Sequence, residues 1–170
     1  MEPAEASSSE EERRARAIRA WSDADSLLFV CLGNVCRSLF AERLVLQRLG
    51  EERQAASAGH YPLSGRRPPG EAVAAARGFG VELKGHRSQV LSRELVDGAD
   101  AVFVFEDDNY RAVVSEQPEA AERTHLLGAL REEGPLMIPD PFGGPPPLYE
   151  AVYQQIAAAI EAAERARRGA

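Results

Sequence analysis

Hydrophobic and polar positions alternate in blocks along this chain. Ser26 to Leu32, SLLFVCL, is a continuous apolar run of strand length, the pattern of a strand buried on both faces. Next comes a polar turn, GNVCRS. The segment LFAERLVLQRLG then places Leu39, Phe40, Leu44 and Leu46 to Leu49 near helical spacing, with Ser38 as predicted N-cap and Gly50 as predicted stop. QAASAG predicts a second strand, and EAVAAARGFG a helix ending at Gly78 or Gly80. VELKGHRSQVLSRELVDG is a connector with a short helix starting at Ser92. ADAVFVFE repeats the buried-strand pattern, and DNYRAVVSEQ is helical up to Pro118. THLLG predicts a last strand. LYEAVYQQIAAAIEAAERARR predicts a long final helix whose apolar face is Tyr149, Val152, Tyr153, Ile156 and Ile160.

Strands alternating with helices predict an α/β fold: a three-layer sandwich with a four-stranded parallel sheet and helices on both faces. Sheets of this kind bind ligands outside the carboxyl ends of their strands. Cys31 falls at such an end. The segments YPLSGRRPPG and GPLMIPDPFGGPPP are too rich in proline and glycine to be regular, and read as loops. Residues 1–26 begin with the acidic, hydroxyl-rich MEPAEASSSEEE and read as a disordered tail, leaving 27–170 as the single folded domain.

Composition narrows the function. A net charge of −7 excludes the basic surface of a duplex nucleic-acid binder, so no nucleic-acid partner is expected. No apolar run reaches the roughly 18 residues of a spanning helix and no signal peptide is present, so no membrane association is expected. The only cysteines, Cys31 and Cys36, do not make a disulfide scaffold and suit a reducing, cytoplasmic setting.

The stretch CLGNVCRS, between a buried strand and a helix, carries the chemistry. Backbone N–H groups from Leu32 through Cys36 can form an anion-binding nest, completed by the dipole of the following helix. Gly33 and Asn34 tolerate the positive φ that such a loop needs. Arg37 can present a two-pronged donor edge to a tetrahedral oxyanion. A thiol in this field ionises readily, so Cys31 is the candidate nucleophile and Ser38 the candidate donor to its sulfur. Asp140, stiffened by Pro139 and Pro141, is the candidate proton donor, and Phe142 a candidate apolar wall.

At these residues the chain resembles the low-molecular-weight protein tyrosine phosphatase family, from Leu27 to about Ala163. FVCLGNVCRS looks like the family's phosphate loop, with Cys31 as nucleophile, Arg37 as phosphate clamp, and Asn34 and Ser38 organising the loop. By the same resemblance Ser57 of SAG and His86 of GHRSQVL support that loop. DDNY resembles the segment that contributes an asparagine, here Asn109, and DPFGG resembles the general-acid loop with Asp140 as the acid. The family usually has proline where this chain has Leu39, and often Met-Asp where it has Phe105 and Glu106. Its tyrosine-specific members often read Asp-Pro-Tyr-Tyr. Here Gly143 follows Phe142, so one aromatic wall is lacking, and Tyr61 is the candidate replacement.

The resemblance implies hydrolysis of phosphotyrosine on proteins through a phosphocysteine, with no metal and no cofactor. It also implies phosphotyrosine proteins, including a cognate tyrosine kinase, as partners, and a monomer or weak dimer. A protein arginine phosphatase of the same fold is the alternative. The arginine-specific pattern favours threonine where this chain has Val35, and valine suits an aryl group better than a guanidinium. A thioredoxin-coupled arsenate reductase also resembles this fold, but needs relay cysteines beyond Cys31 and Cys36. A non-catalytic phosphate-binding module would not need Cys31, Arg37 and Asp140 together.

Overall fold

The computed structural model describes residues 9–169. Its sheet has four parallel strands: β1 (Ser26–Cys31), β2 (Gln54–Gly59), β3 (Ala101–Val104) and β4 (Thr124–Leu126), in the order β2-β1-β3-β4. The helices are α1 (Glu10–Asp23), α2 (Arg37–Leu49), α3 (Gly70–Arg77), α4 (Arg93–Asp97), α5 (Asp107–Glu116) and α6 (Pro146–Gly169), with 3₁₀ turns at Pro118–Arg123 and Leu127–Leu130. The predicted three-layer sandwich is present.

The period of two along a strand divides the core. Leu27, Phe29 and Cys31 of β1 and Phe103 of β3 face a cluster shared with α1, α2, α3 and α6. Leu28 and Val30 of β1 and Val102 and Val104 of β3 face the smaller cluster under Val96 of α4 and Val113 of α5. Both strands are therefore buried on both sides, which explains their continuous apolar sequence. In α2 the buried stripe includes Val45, while Leu46 is turned to solvent.

The N-terminal segment departs from the sequence reading. Residues 1–8 of the expected tail lie outside the described residues, but from Ser9 onward the chain is built into the domain. Ser9 Oγ accepts the Glu12 N–H at 3.1 Å, and Glu10, Glu11 and Glu12 complement the helix dipole in the first turn of α1. Ala17 and Trp21 are fully buried in the larger cluster. Trp21 meets Phe103 edge-on at 5.4 Å, stacks under the Arg53 guanidinium at 5.3 Å, and donates from Nε1 to Glu164 of α6 at 2.7 Å. Of the acidic residues that suggested disorder, Glu10, Glu11 and Glu12 lie on the exposed first turn of a helix whose buried stripe is only a few residues wide. Among the described residues no helix is long and apolar enough to cross a membrane.

Candidate active site

β1 delivers Cys31 to the carboxyl edge of the sheet, and the chain from Leu32 to Cys36 turns back into α2. Asn34 adopts φ 56°, the only positive φ among the described non-glycine residues. Gly33, expected to share that role, does not take a positive φ. Its hydrogen matters for space instead, because a Cβ there would stand 3.1 Å from Arg66 Nη1. The loop also crosses directly over Gly59 at the end of β2, where a Cβ would lie 2.6 Å from the Leu32 carbonyl oxygen and 2.9 Å from Asn34 N. Only glycine lets β2 support the loop at that distance.

Asn34 organises the site. Its amide nitrogen donates to Ser38 Oγ (2.9 Å) and Ser57 Oγ (2.8 Å), its side-chain oxygen accepts the Gln89 N–H (3.0 Å), and its backbone carbonyl accepts from His86 Nε2 (2.8 Å). Burial lowers the His86 pKa and keeps the ring neutral. The Ser57 hydroxyl in turn donates a hydrogen bond to Glu42 Oε1. Because Ser38 Oγ accepts from Asn34, its hydroxyl proton is free to point at Cys31 Sγ, 3.0 Å away, and the Asn34 N–H reaches the same sulfur at 3.3 Å. Two donors therefore converge on Cys31 Sγ, the arrangement that favours a thiolate. Ser38 serves the sulfur and is not a helix cap. α2 starts at Arg37, with Cys36 before it and no side-chain cap.

Arg37 is almost wholly buried. Its Nη1 donates to Glu106 Oε1 (2.7 Å) and to the Ile138 carbonyl (2.8 Å), and Nη2 lies 3.6 Å from Asp140 Oδ2. Nε is buried without a hydrogen-bond partner among the described residues. Nη1 is thus committed to the scaffold, while the Nε and Nη2 edge, the bidentate face of the guanidinium, is available to an oxyanion. The Asp140 carboxylate is about one-third exposed, and its Oδ1 accepts the Phe142 N–H at 3.0 Å, which fixes the turn around it. Asn109 ties the neighbouring segment: its Oδ1 accepts the N–H groups of Phe105 and Glu106, and its amide nitrogen donates to His60 Nε2.

Cys36 points away from the mouth. Burial, and then Cys31 and Asp140, push its thiol well above the usual range, so it stays protonated. Tyr149 in the first turns of α6 is buried near Cys36 and Gly143, and its pKa is pushed up to about 12, chiefly by burial and then by Cys36. Tyr153 donates to the Cys36 carbonyl at 3.0 Å and stacks on Phe40. One helix therefore packs against both the phosphate loop and the Asp140 loop.

The structure brings Cys31, Asn34, Arg37, Ser38, Ser57, His86 and Asp140 into one site. Tyr61 and Phe142 stand exposed at its rim, with the Arg66 guanidinium between them. Val35 is buried against the core and offers the site no polar group. Sequence reasoning missed four contributors. Gln89 and Glu42 carry no signal of their own. Tyr149 and Tyr153 read as plain apolar-face residues, because helical spacing does not distinguish a packed phenol from a hydrogen-bonding one. Among the described residues no group of three or more His, Cys, Asp or Glu is placed to hold a metal.

A family model described as low molecular weight phosphotyrosine protein phosphatase matches residues 26–166. The chain belongs to the low molecular weight phosphotyrosine protein phosphatase family. The Etp phosphatase of Escherichia coli K12, a low molecular weight protein-tyrosine-phosphatase, is 35% identical over 131 residues, spanning 76% of this chain and 85% of its own. The crystal structure of the tyrosine phosphatase AmsI from Erwinia amylovora aligns with a TM-score of 0.78 at 31% identity, over 84% of this chain and 93% of that one. The YwlE arginine phosphatase of Geobacillus stearothermophilus aligns with a TM-score of 0.75 at 30% identity, over 85% and 94%. The family match starts at Ser26, so α1 lies outside the residues that the family model matches.

Proposed function

We propose that this phosphatase hydrolyses phosphotyrosine on proteins through a phosphocysteine intermediate. The observation that carries the reading is the convergence of two donors on Cys31 Sγ, beside an Arg37 whose Nε has no hydrogen-bond partner among the described residues and whose Nη2 pairs with Asp140. Cys31 attacks phosphorus: the S–P bond forms as the P–O bond to the tyrosine breaks. Asp140 gives its proton to the departing phenolate oxygen. Water then attacks phosphorus, Asp140 takes its proton, the S–P bond breaks, and inorganic phosphate leaves. Charge in both transition states sits on the equatorial oxygens, where the loop N–H groups and Arg37 stabilise it.

The aryl reading over the guanidinium reading is supported by Val35, which brings only apolar bulk to the loop, and by the two aromatic side chains at the rim. A reducing cytoplasmic setting, where Cys31 and Cys36 stay free, fits this chemistry, and a cognate tyrosine kinase is the partner class that would supply its substrate. The test is turnover of matched phosphotyrosine, phosphoarginine and phosphoserine peptides, with Cys31→Ser as the inactive control. Phosphotyrosine should be the preferred substrate. Faster turnover of phosphoarginine would move the assignment to the second activity.

A further inference from the structure

The mouth of the site is electrically uneven. Glu106 and Asp140 face Arg37. Arg66 stands at the same mouth, over Phe142 of the Asp140 loop, and pairs with no carboxylate among the described residues, although the chain is acidic overall. The backbone of Arg66 is fixed: its N–H donates to Ser88 Oγ (2.9 Å), its carbonyl accepts the Ser88 N–H (2.9 Å), and the Gly65 N–H donates to the Ser88 carbonyl (2.8 Å). Its guanidinium lies 5.0 Å from the Tyr61 ring centre and 5.7 Å from that of Phe142, next to Gly33 of the phosphate loop. The phosphate itself is provided for by Arg37 and the loop amides, so this second cation is left for something that arrives with the substrate.

We propose that Arg66 determines specificity by receiving the carboxylate of an acidic residue beside the phosphotyrosine; the proposal rests on the phosphotyrosine reading of the site. Cation–π contacts with two rings restrain the guanidinium, so less freedom is lost when it binds. Its planar donor edge fits a carboxylate better than an ammonium does. The same charge acts against basic residues flanking the phosphotyrosine.

The experiment measures kcat/KM on three phosphotyrosine peptides that differ only in having Glu, Gln or Lys on both sides of the phosphorylated residue. Wild type should prefer Glu over Lys by about fivefold or more, the upper range of a solvent-exposed ion pair. The preference should shrink as salt is raised, because exposed charge pairs are screened. Arg66→Gln should bring the ratio close to one, and Arg66→Lys should restore part of it. Arg66 is half-exposed, so both variants should keep the wild-type melting temperature, which serves as the folding control. Equal turnover of the three peptides by wild type, or an unchanged ratio in Arg66→Gln, would overturn the role of Arg66 while leaving the phosphotyrosine reading intact. Failure to turn over any of the three would overturn that reading and this proposal with it.

Discussion

Trp21→Ala tests whether α1 is part of the domain. The indole is fully buried against Phe29 and Phe103, under Arg53, and its N–H reaches Glu164. A buried tryptophan removes roughly 150–250 Å² from water, which at about 25 cal/mol per Å² amounts to some 4–6 kcal/mol. Alanine keeps a small part of this, so a loss of about 3–5 kcal/mol follows, in line with large-to-small core substitutions. Glu164 adds little, because Arg167 still holds both of its oxygens. For a domain of this size the loss corresponds to a fall in melting temperature of roughly 6–20 °C. Trp21→Phe keeps most of the apolar contact and gives up the hydrogen bond, costing about 1–2 kcal/mol. Urea unfolding followed by circular dichroism reads both variants. In the unmutated protein Trp21 is the single tryptophan, so its fluorescence reports directly on whether α1 unfolds together with the sheet. A Trp21→Ala protein within about 1 kcal/mol of wild type, or tryptophan emission that reddens before the circular dichroism transition, would refute the packing argument.

Other substitutions separate the parts of the site. Asp140→Asn should lower kcat on phosphotyrosine by about 10²–10⁴ and much less on aryl phosphates with acidic leaving groups; equal losses on both would remove Asp140 as the proton donor. Arg37→Lys cannot serve Glu106, the Ile138 carbonyl and a phosphate together, so kcat/KM should fall by at least about a hundredfold, and near-normal kinetics would contradict the fork geometry. Asn34→Ala removes every amide contact and places alanine at a positive φ, so activity and stability should drop together, by about 2–4 kcal/mol of unfolding free energy. The histidines give a pH signature. His60, His86 and His125 all have pKa values lowered mainly by burial, His125 to about 4 with Arg16 and Arg13 of α1 contributing. Each is neutral in the native state. Stability is therefore full above the unfolded histidine value of about 6.5 and declines as the pH falls from there toward about 4, where the unfolded chain takes up protons that the native chain resists. Urea midpoints measured across that window should fall, and His125→Asn should flatten part of the slope.

The fold was legible because β1 and β3, covered on both faces, have to be continuously apolar, and because each helix after α1 ends near a glycine or proline. The site was legible because Cys31, Asn34, Arg37 and Ser38 are local in sequence, so one loop states most of the geometry. What was missed is non-local. Glu42 lies within α2 and Gln89 in a connector, and nothing in either position says that both converge on Ser57. α1 was missed for a different reason: its opening residues are acidic, and only Ala17, Ile18 and Trp21 mark the buried stripe. Ser38 shows the reverse error, a residue of the right type for a cap whose hydroxyl is recruited by a sulfur.

The Asp140 loop is moored at both ends. Ile138 is held by the Phe105 carbonyl on one side and Arg37 on the other, and beyond Asp140 the Gly144 N–H closes a turn on the Pro141 carbonyl. With so short a tether Asp140 has little room for a sweeping stroke, so in the proposed mechanism the same carboxyl group would serve departing phenolate and incoming water from nearly one spot. Such a catalyst is a vise rather than a door. Its turnover should follow the chemistry of bond breaking and be indifferent to solvent viscosity, and two successive proton transfers become the business of one stationary group.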